Sequence, residues 1–579
     1  EMKTGEISMA KKLSMFVILV AMLVTVQTYL SLPGQRVPGV ETQAAASLQI
    51  PQSRLPSWDA GVRGGVPTVS NRANILDYGA RANDSGDDTA ALKAAIAAVP
   101  KPGAVYLPAG AYNLNGKIRV PSGVVIRGAG IGATRLLITP SSGSNTFVVQ
   151  GTAGSSVALT AAATVGDTRI KVANPSGFQA GQMVMLQMEN GTLPIHVNRP
   201  NARGQVVEIA AVNGDQLTLN LPLRLAYPLD VHPWVVPFGA VDGVGFEDFY
   251  VKHVSSDGDS STIFVFDAAR NSWIRNVESD YAAKNHVDIS QSRFITVRDS
   301  TFHHSYNYGG GGHGYGVAVF KRTSDSLIIN NIFYNLRHSM SSERGASGNV
   351  WGYNYSTRTC CAEQDISMHG GYMYGNLFEG NVVEWIGIAD YWGMVGPYNT
   401  VFRNRTTRLP PSSGNYFSGI EVEEGPTSDQ NILLNTSAAR IKVTTSTAQN
   451  IWIEKNLILR DGLQGYANQQ ILVDNLIGIQ AAPWSGPASL YWKNGPPDFW
   501  GNLPWPAVGA DVDSQRLTAG LPVYLIPAQL RYSGEPVPTP TPAPAGIKAL
   551  LSAYGTSQVD FDLNNDGKVN SFDFAISTR

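Results

Sequence analysis

Two cysteines, 15% charged side chains and a net charge of −2 in 579 residues exclude several classes of protein. Two cysteines cannot build a disulfide framework. A pI near 6.6 gives no basic surface for a nucleic acid. The apolar run Met15–Val26 is too short for a comfortable transmembrane helix. Lysine is scarce, while Gly, Asn, Tyr and Trp are plentiful, with 59 Gly and 34 Pro. That composition suits many tight turns and a surface that handles sugars. Length alone suggests ~4 globular domains, unless the core is a column, which escapes that count.

A column is what the stretch from Asn271 to Asn456 describes. The phrases NSWIRNVE, SRFITVRDST, SDSLIINNIF, GNVWGYNYS, GNLFEGNVV, YNTVFRNRT, QNILLNTS and QNIWIEKNLI are β-rich runs closing on Asn or Asp. The closing residues Asn276, Asp299, Asn331, Asn354, Asn381, Asn404, Asn435 and Asn456 are spaced by 23, 32, 23, 27, 23, 31 and 21. A period in the twenties with longer members is that of a solenoid with insertions on one side. The leucine framework and helical half of leucine-rich repeats are missing, and β-branched and aromatic residues favour strands. Asn tolerates left-handed backbone at a turn, and amides stacked one per coil can bond to each other. The expected fold is all-β: a right-handed parallel β-helix with an N-terminal capping helix, a small inserted β unit and a short helical calcium-loop module.

Along the chain, initiation is expected at Met2 or Met9. Lys11 and Lys12, the run Met15–Val26 and Ala44-Ala45-Ala46 then form a signal peptide over residues 1–46, with an uncleaved anchor as the alternative. The chain is expected outside the cell, secreted or attached to the surface. Residues 47–72 read as an extended leader. From Ile75 come ILDYGARANDSGDDTAALKAAIAAV, GAVYLPAGAYNL and GVVIRGAG. Here the chain resembles the N-terminal module of the pectate-lyase-like superfamily, carried by polygalacturonases, rhamnogalacturonases, uronan epimerases and phage tailspikes. Asp77–Ala80, Asp87–Thr89 and Tyr106–Gly110 carry the match. Asp88 or Thr89 can cap the helix 90–99, which would cover the column's open end. The region 73–154 is therefore cap and first coils, and no active site is carried over from it.

Residues 155–230 alternate and turn like a small antiparallel insertion, a binding surface or a spacer. The β-helix body resumes over 231–480. A closing segment, 481–534, holds Trp484, Trp492, Trp500 and Trp505; these aromatics are expected to bury the second open end, with a stacking platform for sugar rings as the alternative. Residues 535–545 are a Pro-Thr linker. In 546–579, Asp562, Asn564, Asp566, Lys568 (by its carbonyl), Asn570 and Asp573 have the spacing of a calcium loop, with Gly567 at its turn. This run is similar to one dockerin repeat. That implies calcium and a cohesin-like scaffold or cell surface as partner, although dockerins carry two repeats.

Six of nine histidines fall between His286 and His369, in the longer coils that can wall a groove. The phrases DISMHGGYMYGNLFEGN and RHSM…GASGNVWGYNYS make the body, 271–505, similar to secreted bacterial pectate-lyase-like β-helix proteins. That resemblance implies an extracellular polysaccharide as partner and assigns no residue roles. Three readings compete. In β-elimination on a uronate, Arg337, Arg344, Lys321 or calcium neutralises the carboxylate, and His338, His369, Tyr372 or an Arg removes the α-proton. In hydrolysis, Asp365, Glu384 and Asp390 supply paired carboxylates. In the third, the groove only binds glycan. The lyase ranks first. Its sharpest form places His304, His338 and His369 in one ladder about 4.8 Å apart, with a divalent metal or a structural ladder as alternatives. Adjacent Cys360 and Cys361 are expected as two thiols in a turn, with a vicinal disulfide forming a sugar ledge as the alternative.

Overall fold

The computed structural model describes residues 50–534 except 259, 362, 389–391, 408–418, 423–429, 444–450, 460–462, 466–469, 474 and 478–483. The expected export signal, linker and calcium loop, and Asp390, therefore lie outside the described residues. The body is a parallel β-helix. One coil runs through strands Thr296–Arg298, Thr301–Ser305 and Tyr315–Phe320. The next coil lays Leu327–Ile329, Ile332–Tyr334 and His338–Ser342 beside them, all parallel. The first two sides belong to a 23-stranded sheet and the third to an 11-stranded sheet. Period-2 alternation sends Val297, Phe302, Val317, Ile328, Phe333 and Met340 into one fully buried core. The alternate residues point outward, where chemistry can be displayed.

Amide ladders hold the bends. The backbone N–H and Nδ2 of Asn331 both donate to Asn354 Oδ1 at 3.0 Å. Asn354 does the same to Asn381, and Asn381 to Asn404. Thr436, Asn456 and Asn475 continue the file. Asn276, Asp299 and Asn435 stand one residue earlier, in left-handed backbone at φ 52°, 56° and 45°. The repeated Asn of the sequence thus fills two adjacent roles, turning the chain and tying coils together. A second ladder, Asn349–Asn376–Asn399–Asn431, runs at another corner.

Helix Thr89–Ala98 buries Ala91, Leu92, Ala95 and Ile96 in the core of the first coils. Asp88 stands at its N-cap position but does not cap. Its carboxylate instead accepts the N–H groups of Arg81 (2.8 Å) and Asn113 (3.2 Å), while Asp87 accepts the N–H of Thr89 at 2.9 Å. The pull of the neighbouring strand's N–H wins over the helix end. The inserted unit is an antiparallel sheet that includes Met183–Gln187, Gly204–Asn213 and Gln216–Leu219, and Trp234–Gly239 closes it. The stretch 222–228 forms no strand, although Tyr227 makes one bridge.

The tryptophans of the closing segment are not at the column's end. Trp492 and Trp500 pack on Tyr353 (ring centroids 5.0 and 4.6 Å) and Trp484 on Phe402 (5.8 Å), along the flank of the coils. Outward apolar residues such as Val350, Leu377 and Phe402 give them a surface to bury. Helix Ala510–Thr518 is fastened there by buried pairs, Asp511 with Arg403 (2.8 Å) and Asp513 with Arg405 (2.5 Å). Among the described residues, no helix is long and apolar enough to cross a membrane.

Candidate functional site

Register places Lys252, Asp280, His303, Tyr334 and Thr357 at equivalent positions in five successive coils. Their carriers are strands Gly245–His253, Trp273–Ala282, Thr301–Ser305, Ile332–Tyr334 and Tyr355–Thr357. The centre of the row is a cluster of Asp280, His303 and His304, whose ligand-capable atoms lie within 4.8 Å of one another. His303 Nδ1 is 2.8 Å from His304 Nδ1 and 3.0 Å from Asp280 Oδ1, and His304 Nδ1 is 3.2 Å from the same oxygen. His303 Nε2 donates to Glu278 at 3.1 Å, and Tyr250 donates to Asp280 Oδ2 at 2.7 Å. Tyr334 stacks on His303 at 4.5 Å and Tyr281 on His304 at 4.9 Å.

These partners assign the protons. Asn335 Nδ2 donates to His304 Nε2 at 2.9 Å, so that nitrogen carries a lone pair and the neutral ring holds its proton on Nδ1, facing Asp280. His303 must carry a proton on Nε2, because Glu278 only accepts. One proton is then shared among two Nδ1 atoms and Asp280. Burial pulls His303 down, but hydrogen bonds to Asp280 and Glu278 and their charges outweigh it, so it titrates above its ordinary 6.5. Burial pushes Asp280 up, but His303, Tyr250 and His304 outweigh it, so it titrates well below 3.8. His304, whose side chain is 30% exposed, is the member that a ligand can reach. The Asp280–His304 pair is the arrangement that fixes a histidine tautomer for base work. Two cations flank it. Lys252 sits over Tyr281 at 4.8 Å, and exposed Arg358 follows Thr357. Tyr532 of the closing segment walls the site, 5.5 Å from Tyr334 and 5.2 Å from Tyr355.

The expected three-imidazole ladder does not form. His304 lies on the 23-stranded sheet, while His338 lies in, and His369 directly after, strands of the 11-stranded sheet. The spacings 34 and 31 of the sequence match coil lengths, but the first step also crosses from one side of a coil to another. His338 and His369 do meet, with ring centroids 5.4 Å apart and Tyr315 beside both. His338 Nδ1 donates to the Gln364 carbonyl at 2.8 Å. Burial and the neighbouring His369 hold His338 well below its ordinary value.

Arg337 pairs with Glu363 at 2.8 Å, and Arg344 with Glu343 at 2.9 Å, so neither side chain is left bare for a carboxylate. Tyr372 is buried against the core of the inserted unit, with Arg203 5.4 Å from its ring. Asp365 is fully buried. Its carboxylate accepts the N–H groups of Glu384 (3.0 Å) and Trp385 (2.8 Å) and the hydroxyls of Ser356 and Thr359. Burial, with Glu384 close by, lifts it to about 6. Glu384 in turn accepts the N–H of Arg358 at 2.8 Å and of Thr359 at 3.1 Å. These two carboxylates clamp a turn and do not flank an open gap. Cys360 and Cys361 are joined in a disulfide, S–S 2.02 Å across a 3.8 Å Cα step, in place of two thiols. Left-handed backbone at Cys361 (φ 67°) accommodates it.

The repeated His-Ser phrase marks His304 in the sequence but not Asp280, His303, Glu278 or Tyr334. The signal was present in the doublet His303-His304 and in Glu278-Ser279-Asp280, two carboxylates at period 2 on an outward strand face.

Residues 72–193 match the family described as rhamnogalacturonase A/epimerase, pectate lyase-like. Over 70 residues the chain is 43% identical to mannuronan C5-epimerase AlgE3 of Azotobacter vinelandii, a match covering 10% of this chain and 4% of that protein. The structure is similar to the tailspike protein gp49 of Pseudomonas phage LKA1, with TM-score 0.51 and 15% identity over 70% of this chain and 79% of that one. It also aligns with the tailspike gp61 of Pseudomonas phage phi297, with TM-score 0.47 and 13% identity over 73% and 82%. At 15% identity the likeness to gp49 is one of fold.

Proposed function

We propose that the protein is an exported enzyme acting on a uronate-containing polysaccharide, and that His304, oriented by Asp280, removes the proton α to the substrate carboxylate. The observation that carries this reading is the Asp280–His304 pair in an outward row that also holds Lys252. The lone pair lies on Nε2, where substrate would displace the Asn335 amide and offer its α-proton to the imidazole. Lys252 and Arg358 supply the positive charge that the developing carbanion and its carboxylate need. The β C–O bond then breaks, the leaving glycosidic oxygen takes a proton from solvent, and an unsaturated uronate remains. Hydrolysis is less well served. Glu278 and Asp280 both bond to His303, so the imidazole fills the space that a nucleophilic water would need between them.

A second outcome of the same abstraction is protonation of the carbanion from the opposite face by water, with His304 keeping the proton it removed, giving the epimer. The match of residues 72–193 to a family described partly as epimerase favours keeping it. The test is incubation with polyuronates and neutral glycans. New ultraviolet absorbance identifies elimination, a changed proton spectrum without chain cleavage identifies epimerisation, and reducing ends without absorbance overturn both. Binding with no product on any glycan supports the binder.

A further inference from the structure

A separate cleft of about 360 Å³ lies on the outer face of the 11-stranded sheet, within the range of ligand sites. Its floor is built from outward residues in register, Val148, Val265 and Asp288, on successive coils. Phe320, half-buried, adds an aromatic face. Lys117, Lys284 and Lys321 line it. In a chain so poor in lysine, three at one cleft is a concentration. Among the described residues none of the three ammonium groups is in an ion pair. The two carboxylates at the cleft are hydrogen-bonded by neutral donors, and the charges of Lys284 and Lys321 also act on Asp288 without forming an ion pair. Asp288 accepts from Thr262 (2.9 Å) and Asn285 (3.0 Å), and Asp267 from Gln291 (2.9 Å) and Gln150 (3.3 Å). Burial lifts the Asp288 carboxyl above its ordinary range, so the cleft grows more positive as pH falls.

We propose that this cleft is a second, non-catalytic site for an anionic glycan chain of the uronate type. Lysine ammonium groups meet the carboxylates, Phe320 meets the apolar face of a sugar ring, and the floor of Val148 and Val265 leaves room for the chain. Its ligand class rests on the function proposed above, but its residues are not those of the Asp280 site. The cleft would hold the polymer while another stretch of it is processed, multiplying local concentration without adding to the chemistry.

The experiment is affinity electrophoresis of the full chain in gels containing polygalacturonate, alginate or a neutral β-glucan. A His304→Ala background stops turnover. Retardation by a polyuronate, none by the β-glucan, and about tenfold weaker retention in Lys117→Gln/Lys284→Gln/Lys321→Gln are expected, as three exposed charge pairs would give. An unchanged melting temperature checks the fold, and added salt should release the parent. Retention independent of the three lysines, equal retention by the neutral gel, or none by either polyuronate would overturn the site. With His304 restored, a Lys117→Gln/Lys284→Gln variant should turn over short uronate oligosaccharides like the parent. Lysine-dependent retention without any turnover sinks the catalytic reading and leaves this site standing. Turnover with lysine-independent retention does the reverse.

Discussion

His303 and His304, neighbours in sequence, face each other Nδ1 to Nδ1 at 2.8 Å. Adjacent residues of a strand normally point to opposite sides. Left-handed backbone at His304 (φ 55°) breaks that alternation and brings both rings to one carboxylate. A shared proton, not two charges, is what such a contact permits. The chemistry of the site follows from that.

His304→Ala and Asp280→Asn are expected to lower turnover by about 10²–10⁴. His304→Ala should leave the melting temperature near the parent's, since the side chain is partly exposed. Steady-state rates on the polyuronate identified in the panel, with thermal melts beside them, check it. A variant retaining parental activity removes His304 from the mechanism.

Stability should peak in a window set by the same cluster. Asp280 titrates lower in the folded state than its ordinary 3.8, so its contribution is present above that value and is lost as pH falls through the folded value. His303 titrates above its ordinary 6.5, so its contribution is present below 6.5 and is lost as pH rises through the folded value. Both act together between these two ordinary values. Urea melts from acid to alkaline pH should show the parent's stability falling on both sides. Asp280→Asn should flatten the profile, and an unchanged profile would contradict the assignment.

Asn354→Ala should destabilise the coils by about 1–3 kcal/mol. Asn331 loses the oxygen it bonds twice, and the Asn381 oxygen loses its Nδ2 donor while keeping the backbone N–H of residue 354. Asn276→Ala should cost less, because it stands beside the ladder. Denaturant midpoints compare the two directly.

Alkylation of the unfolded protein without reductant should add no group to Cys360 or Cys361, and two after reduction. Two groups without reductant would restore the thiol reading. If the pair forms a ledge near Arg358, reduction should weaken glycan binding while leaving the ladders untouched.

We propose that Asp562, Asn564, Asp566, Asn570 and Asp573, with the Lys568 carbonyl, bind one calcium, because the carboxylates would repel one another without a cation. Calorimetry on chelated full-length protein should detect a site that Asp562→Ala/Asp566→Ala lacks. Equal heats from both would end this assignment.

The sequence by itself determined the column. Alternation of apolar residues and an Asn every twenty to thirty positions are local patterns, and a parallel coil is their consistent solution. It also marked the polar stretch in which His304 stands. What it could not supply was the side of the coil on which each residue falls. His338 shares a His-Ser phrase with His304 yet lies on another sheet, because the loop 306–314 carries the chain around a corner that spacing does not record. Asp365 and Glu384 read as a catalytic pair until their backbone partners are seen. Lys117 and Lys321 are 204 residues apart in sequence, and only coil stacking puts them in one cleft. Period and composition are local properties of the chain, whereas a site is a meeting of coils, and only their register in three dimensions fixes that.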